Sequence, residues 1–138
     1  MGWSLFMQHL VNAISLGFVF GLVAVGYALV YGVVKLVNFA HGDVFMMGAY
    51  MMFYASVLFG FPWLAAVIFG IVVTALLGVG IEKVAYRPLR KYPRINSLVS
   101  SIGMSFLLQN FAVVVFGGIQ RSFPVPEMMK KTIILGEV

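Results

Sequence analysis

The sequence predicts an all-α, polytopic transmembrane protein, and three observations carry that prediction. Of 138 residues, 62% are hydrophobic and 9% are charged, against roughly 25% charged in a soluble globular domain. The charges are segregated: Leu10 to Val34, Val44 to Ile81 and Ile95 to Gln120 contain no Lys, Arg, Asp or Glu. Mean hydropathy is +1.05. A chain of this kind cannot cover itself with polar surface in water, and in a bilayer its backbone polar groups must be satisfied internally, which selects helices. The lipid bilayer is therefore its first partner.

The first element is a retained helix. Met1 to His9 carries no Lys or Arg, and the apolar run after it exceeds the core of about 7–15 residues found in cleaved signal peptides. A span over about 8–34 follows. The middle uncharged run has 38 residues and would be about 57 Å long as one helix, too long for a hydrocarbon core of about 30 Å. Gly60-Phe61-Pro62 is where it breaks, because proline disfavours helical geometry before it and suits the first turn after it. Two spans result, about 44–59 and 62–81, with Trp63 as an interfacial anchor. The last run predicts a span over about 95–118. Residues 1–120 thus form a four-span transmembrane region, and 121–138 an external tail that reads as a truncated continuation.

Charge sets the orientation. The net charge of +5 does not point to nucleic acid, because Lys83, Arg87, Arg90, Lys91 and Arg94 all fall in the basic loop 82–94. Loops rich in Lys and Arg stay cytoplasmic. Lys35 falls on the same side, and Arg121, Lys130 and Lys131 on the other. The absence of cysteine excludes disulfides and thiolate metal sites.

Small residues mark where helices approach closely. Ala66, Gly70, Thr74 and Gly78 recur every four residues, Gly17 and Gly21 form a GxxxG pair, and Ser97, Ser101 and Ser105 make a polar stripe. The 13 Phe and 9 Met are lipid-facing or packing residues and require no cofactor.

The polar constellation lies between Tyr27 and Tyr50. Asn38, His41 and Asp43 sit within six residues, flanked by apolar sequence, and polar groups at membrane depth are costly. Asp43 is placed to cap a helix starting at Val44, with His41-Gly42 as the turn.

This segment resembles the signature of the branched-chain amino acid ABC transporter permeases of the Liv type. Tyr31-Gly32, then Asn38-Phe39-Ala40-His41-Gly42-Asp43, then Gly48-Ala49-Tyr50 follow the order found in that family. Glu82-Lys83-Val84-Ala85-Tyr86-Arg87-Pro88-Leu89-Arg90, with Ser101-Ile102-Gly103-Met104-Ser105 and Leu108-Gln109-Asn110, resembles the family's following loop and helix. The resemblance runs from about Asn12 to Pro124 and implies an N-terminal half, since such permeases are about twice this length. It further implies a multi-pass protein of the bacterial inner membrane that imports branched-chain or related small amino acids. The implied partners are cytoplasmic ATPase subunits, a second permease subunit and a periplasmic substrate-binding protein. Under this reading Tyr31, Asn38, His41, Gly42 and Gly48 line or gate the path, and Asp43 is a helix cap or an ammonium contact.

The residues leave rival readings with distinct signatures. The chain has no phosphate-cradling Gly-x-x-x-x-Gly-Lys-Ser/Thr loop, so ATP hydrolysis belongs to a partner. No cofactor is implied. An intramembrane enzyme is disfavoured by the lack of His-Glu-x-x-His and Gly-x-Ser-x-Gly and of a second intramembrane aspartate. A channel or proton-coupled secondary transporter is the alternative, because His41 beside Asp43 offers titratable groups. A purely structural membrane subunit is the third.

Overall fold

The computed structural model describes residues 2–119 and 122–123. They form four α-helices: α1 (Gly2–Val34), α2 (His41–Val57), α3 (Trp63–Ile81) and α4 (Arg94–Phe116). A π-helical stretch, Glu82–Tyr86, and a 3-10 stretch, Arg87–Lys91, continue α3. Among the described residues there is no strand. The stretch expected as the basic loop 82–94 is wound helically as far as Lys91. Pro88 supplies the physical reason. It has no N–H to give to residue 84, and its ring clashes with that carbonyl, so the winding loosens before the proline and tightens after it.

The described residues divide into two units, 2–33 and 34–123. The first is α1, 33 residues with a rise of about 50 Å. It begins six residues before the expected start at residue 8. Gly17 and Gly21 lie on one face of it and line a shallow groove with Ile14, Phe18, Leu22 and Val25. After Val34, Lys35 has φ 58°, the left-handed conformation that commonly ends a helix.

The second unit is built on the α2–α3 pair. The break expected at Gly60-Phe61-Pro62 is present: α2 ends at Val57, Gly60 has φ 62°, and Pro62 is extended at φ −57°, ψ 147° immediately before α3. The two helices run antiparallel, since Gly48 faces Thr74 and the later Met52 faces the earlier Gly70. A methyl group on Gly70 would lie 3.1 Å from Met52 Cβ and 3.3 Å from the Gly48 carbonyl oxygen. Ala55, Ala66 and Gly70 are buried. Of the four small residues read as a stripe, Ala66, Gly70 and Thr74 serve this contact, whereas Gly78 has open space beside its Cα.

Helix α4 runs parallel to α2. Its midpoint meets the start of α2 at Asp43, and its end meets the middle of α2, where Phe116 stacks on Tyr50 at 4.5 Å between ring centroids and packs tilted against Tyr54 at 5.1 Å. The core between them comprises Ala40, Met47, Ile81, Tyr86, Leu108, Ala112 and Phe116. The outward faces are apolar and uncovered, as at Leu64, Ile71, Phe106 and Val114, the pattern of side chains whose solvent is lipid.

Three segments, Gly2–Val33, Trp63–Lys91 and Arg94–Phe116, are long and apolar enough to cross a membrane. Helix α2, the expected span 44–59, has 17 residues and a rise of about 26 Å, slightly short of a core of about 30 Å.

Candidate functional site

The site is the junction between the short link that precedes α2 and the two elements that receive it. Leaving α1, the chain makes a turn at 38–41 in which His41 N–H donates to the Asn38 carbonyl at 3.2 Å. The Asn38 side chain closes a second, smaller turn: its Oδ1 accepts from Ala40 N–H at 3.0 Å, the local bond that makes asparagine a turn residue. The same oxygen accepts from the Tyr86 hydroxyl at 2.6 Å, so one side-chain atom fixes the link both to itself and to the π-helical stretch. Ala40, fully buried, then starts α2 by accepting from Val44 N–H at 2.9 Å.

Helix α4 supplies the remaining donors. The Ser101 hydroxyl, itself buried, lies 2.8 Å from the Leu98 carbonyl and 3.3 Å from that of Val37. Ser100 donates to the Ala85 carbonyl at 3.2 Å. One turn further along, Ser105 donates to Asp43 Oδ2, Gln109 Nε2 donates to Asp43 Oδ1 at 3.0 Å, and Gln109 also reaches Ser105 Oγ at 3.2 Å. Among the described residues every buried side-chain nitrogen or oxygen has a partner, as burial away from water requires.

Asp43 does not cap α2. The helix begins at His41, two residues before the aspartate, and has no side-chain cap bond at Ala40. The turn closed by Asn38 starts the helix early and leaves Asp43 in its first turn, where the helix dipole still favours a negative charge and the side chain turns to α4. The other expected site residues separate. Asn38, His41 and Gly42 stay together at the start of α2. Gly42 is exposed with open space beside it. Gly48 lies in the α2–α3 contact, where a Cβ would come within 2.5 Å of Thr74 Oγ1; it also lines an apolar groove of about 480 Å³ with Phe45, Met52, Gly70 and Thr74. Tyr31 belongs to α1 and is described with that unit.

Tyr86, Ser101, Ser105 and Gln109 are the residues that local reasoning did not assign to the site. Their signal was present as the serine stripe and the second family motif, but neither says which distant group each side chain meets. Asn110 donates to the Phe106 carbonyl of its own helix at 2.7 Å and takes no part.

Residues 9–133 match the family described as the permease component of branched-chain amino acid transport systems. The chain belongs to this family. It is 39% identical over 140 residues to the high-affinity branched-chain amino acid transport system permease protein BraD of Pseudomonas aeruginosa, covering 96% of this chain and 45% of that protein. It is 38% identical to the LivH permease protein of Salmonella typhimurium and 37% identical to LivH of Escherichia coli K12, covering 95% of this chain and 44% of each. This branched-chain permease homologue therefore spans somewhat under half the length of the curated relatives it matches. Those relatives are transport permease components rather than enzymes, and with the apolar helices they make this family member a multi-pass membrane protein. No solved structure gives a significant match.

Proposed function

We propose that this chain forms part of the membrane path of an ATP-driven importer for branched-chain or related small amino acids in the bacterial inner membrane. The family match over residues 9–133 carries this reading. A separate ATPase drives the transporter, a second permease subunit completes the path, and a periplasmic binding protein delivers the substrate. Within this reading, His41 and Gly42, at the open side of the junction, border the path, and Tyr31 is a path residue of α1. Asn38 acts by fixing the fold of the link that presents them, and Gly48 by letting α2 and α3 approach.

A chimera tests the reading. The segment of the Pseudomonas aeruginosa permease that aligns with this chain is replaced by the chain, and leucine uptake is measured in cells lacking the native protein. ATP-dependent uptake is expected with the chimera, and none with the 138-residue chain alone. A chimera that inserts at normal levels yet restores no uptake, beside a working parent, overturns the proposal. Uptake by the chain alone that follows the proton gradient transfers it to the secondary-transporter class.

A further inference from the structure

We infer that Asp43, Ser105 and Gln109 form a receptor for a protonated primary amine, which on the permease reading above is the α-ammonium group of the transported amino acid.

Position is the first ground. Ser105 stands midway along α4, eleven residues from both Arg94 and Phe116, so a spanning α4 carries the Asp43 carboxylate into the interior of the bilayer. An ionisable group there is costly unless it has a counter-charge. Yet the donors to its two oxygens, Ser105 and Gln109, are both neutral. Among the described residues no Lys or Arg is paired with it, Arg90 being bound to Glu82. A capping role, which would explain the aspartate without a ligand, is absent.

Chemistry and access select the ligand. A carboxylate has about four acceptor positions, of which the two donors occupy two, and an ammonium group brings three N–H donors to those that remain. Hard metal cations require about six or more oxygen ligands, and among the described residues no group of three His, Cys, Asp or Glu exists to provide them. Asp43 and Ser105 are half-buried while Gln109 and Gly42 are exposed, so the carboxylate is reachable from one side.

Three probes of one shape separate the charges: leucine, 3-methylbutylamine, which lacks the carboxylate, and 4-methylpentanoate, which lacks the amine. Binding of each to the full chain in lipid nanodiscs is measured by calorimetry. Leucine and the amine are expected to bind within about tenfold of each other, and the acid at least about tenfold more weakly. Asp43→Asn should weaken both amine-bearing probes by about tenfold or more, while the control Glu82→Gln, which removes a carboxylate outside the receptor, changes them by less than about threefold. Circular dichroism confirms that each variant keeps its helices. Wild-type affinity in Asp43→Asn, equal binding of the acid, or no binding of the amine to the wild-type chain overturns the inference. A chimera that transports leucine while Asp43→Asn binds the amine normally sinks this inference alone. Amine binding that depends on Asp43, beside a chimera without uptake, sinks the permease reading alone.

Discussion

Replacing Asn38 by alanine removes the acceptor of two hydrogen bonds at once, the Ala40 N–H at 3.0 Å and the Tyr86 hydroxyl at 2.6 Å. A buried donor left without its partner costs about 1–3 kcal/mol, so Asn38→Ala should lower the unfolding midpoint in detergent more than Tyr86→Phe, which deletes one bond and its donor together. The double variant should cost less than the sum of the two single changes, with a coupling of about 0.5–3 kcal/mol; strict additivity would show that the two side chains do not act as a pair. Asn38 was legible in the sequence as a residue of consequence, because an amide amid apolar neighbours at membrane depth needs a reason. What it does was not legible. Its partner lies 48 positions away, and no local periodicity reports a contact of that separation. Asp43 fails in the opposite way. A carboxylate just before an apolar run fits a helix cap, and only the second turn built by Asn38, invisible in the pattern, moves the helix start back to His41.

Close approach of α2 and α3 rests on missing side chains. Alanine at Gly48 would put a methyl group 2.5 Å from Thr74 Oγ1, with Thr74 Cβ and Cγ2 at a comfortable 3.5 Å. The conflict is confined to one oxygen, which is held by its bond to the Gly70 carbonyl at 2.6 Å. Gly48→Ala should therefore destabilise the pair by about 1–3 kcal/mol, and Thr74→Ala, which removes that oxygen, should restore most of the loss. Gly70→Ala meets the Met52 Cβ and the Gly48 backbone instead and should not be rescued by Thr74→Ala. Thermal unfolding of the three single variants and the two double variants in one detergent decides between these outcomes, and equal behaviour of Gly48→Ala in both Thr74 backgrounds would remove the oxygen as the cause. The four-residue spacing from Ala66 to Gly78 made this face readable in advance, since small residues at that interval align on one side of a helix. Its extent was not readable, because Gly78 keeps the spacing but lies beyond the contact. The basic segment shows the same division: its charges were plain, while its helical winding depends on what Pro88 does to a chain that continues past it.

For the molecule as a whole, the expected spans rest on composition and the expected orientation on charge. Lys83, Arg87, Arg90 and Lys91 gather at the end of α3, and Arg94 opens α4, so this end should face the cytoplasm. With no native cysteine, Arg90→Cys and Ser122→Cys each introduce a single thiol. An impermeant maleimide should label Ser122→Cys in intact cells and Arg90→Cys only after the membrane is opened; labelling of both from outside would end the four-span topology. The junction also carries a consequence in time. Asp43 depends on Ser105 and Gln109, which follow it by 62 and 66 residues. At a synthesis rate of about 5–20 residues per second, α2 leaves the ribosome about 3–12 s before the helix that satisfies its carboxylate. Through that interval the polar start of α2 has no place in lipid, so the nascent chain must keep it at the aqueous boundary or within the insertion machinery. The order in which this protein enters the membrane is therefore expected to depart from the order of its sequence, with the polar start of α2 settling only when α4 arrives to receive it.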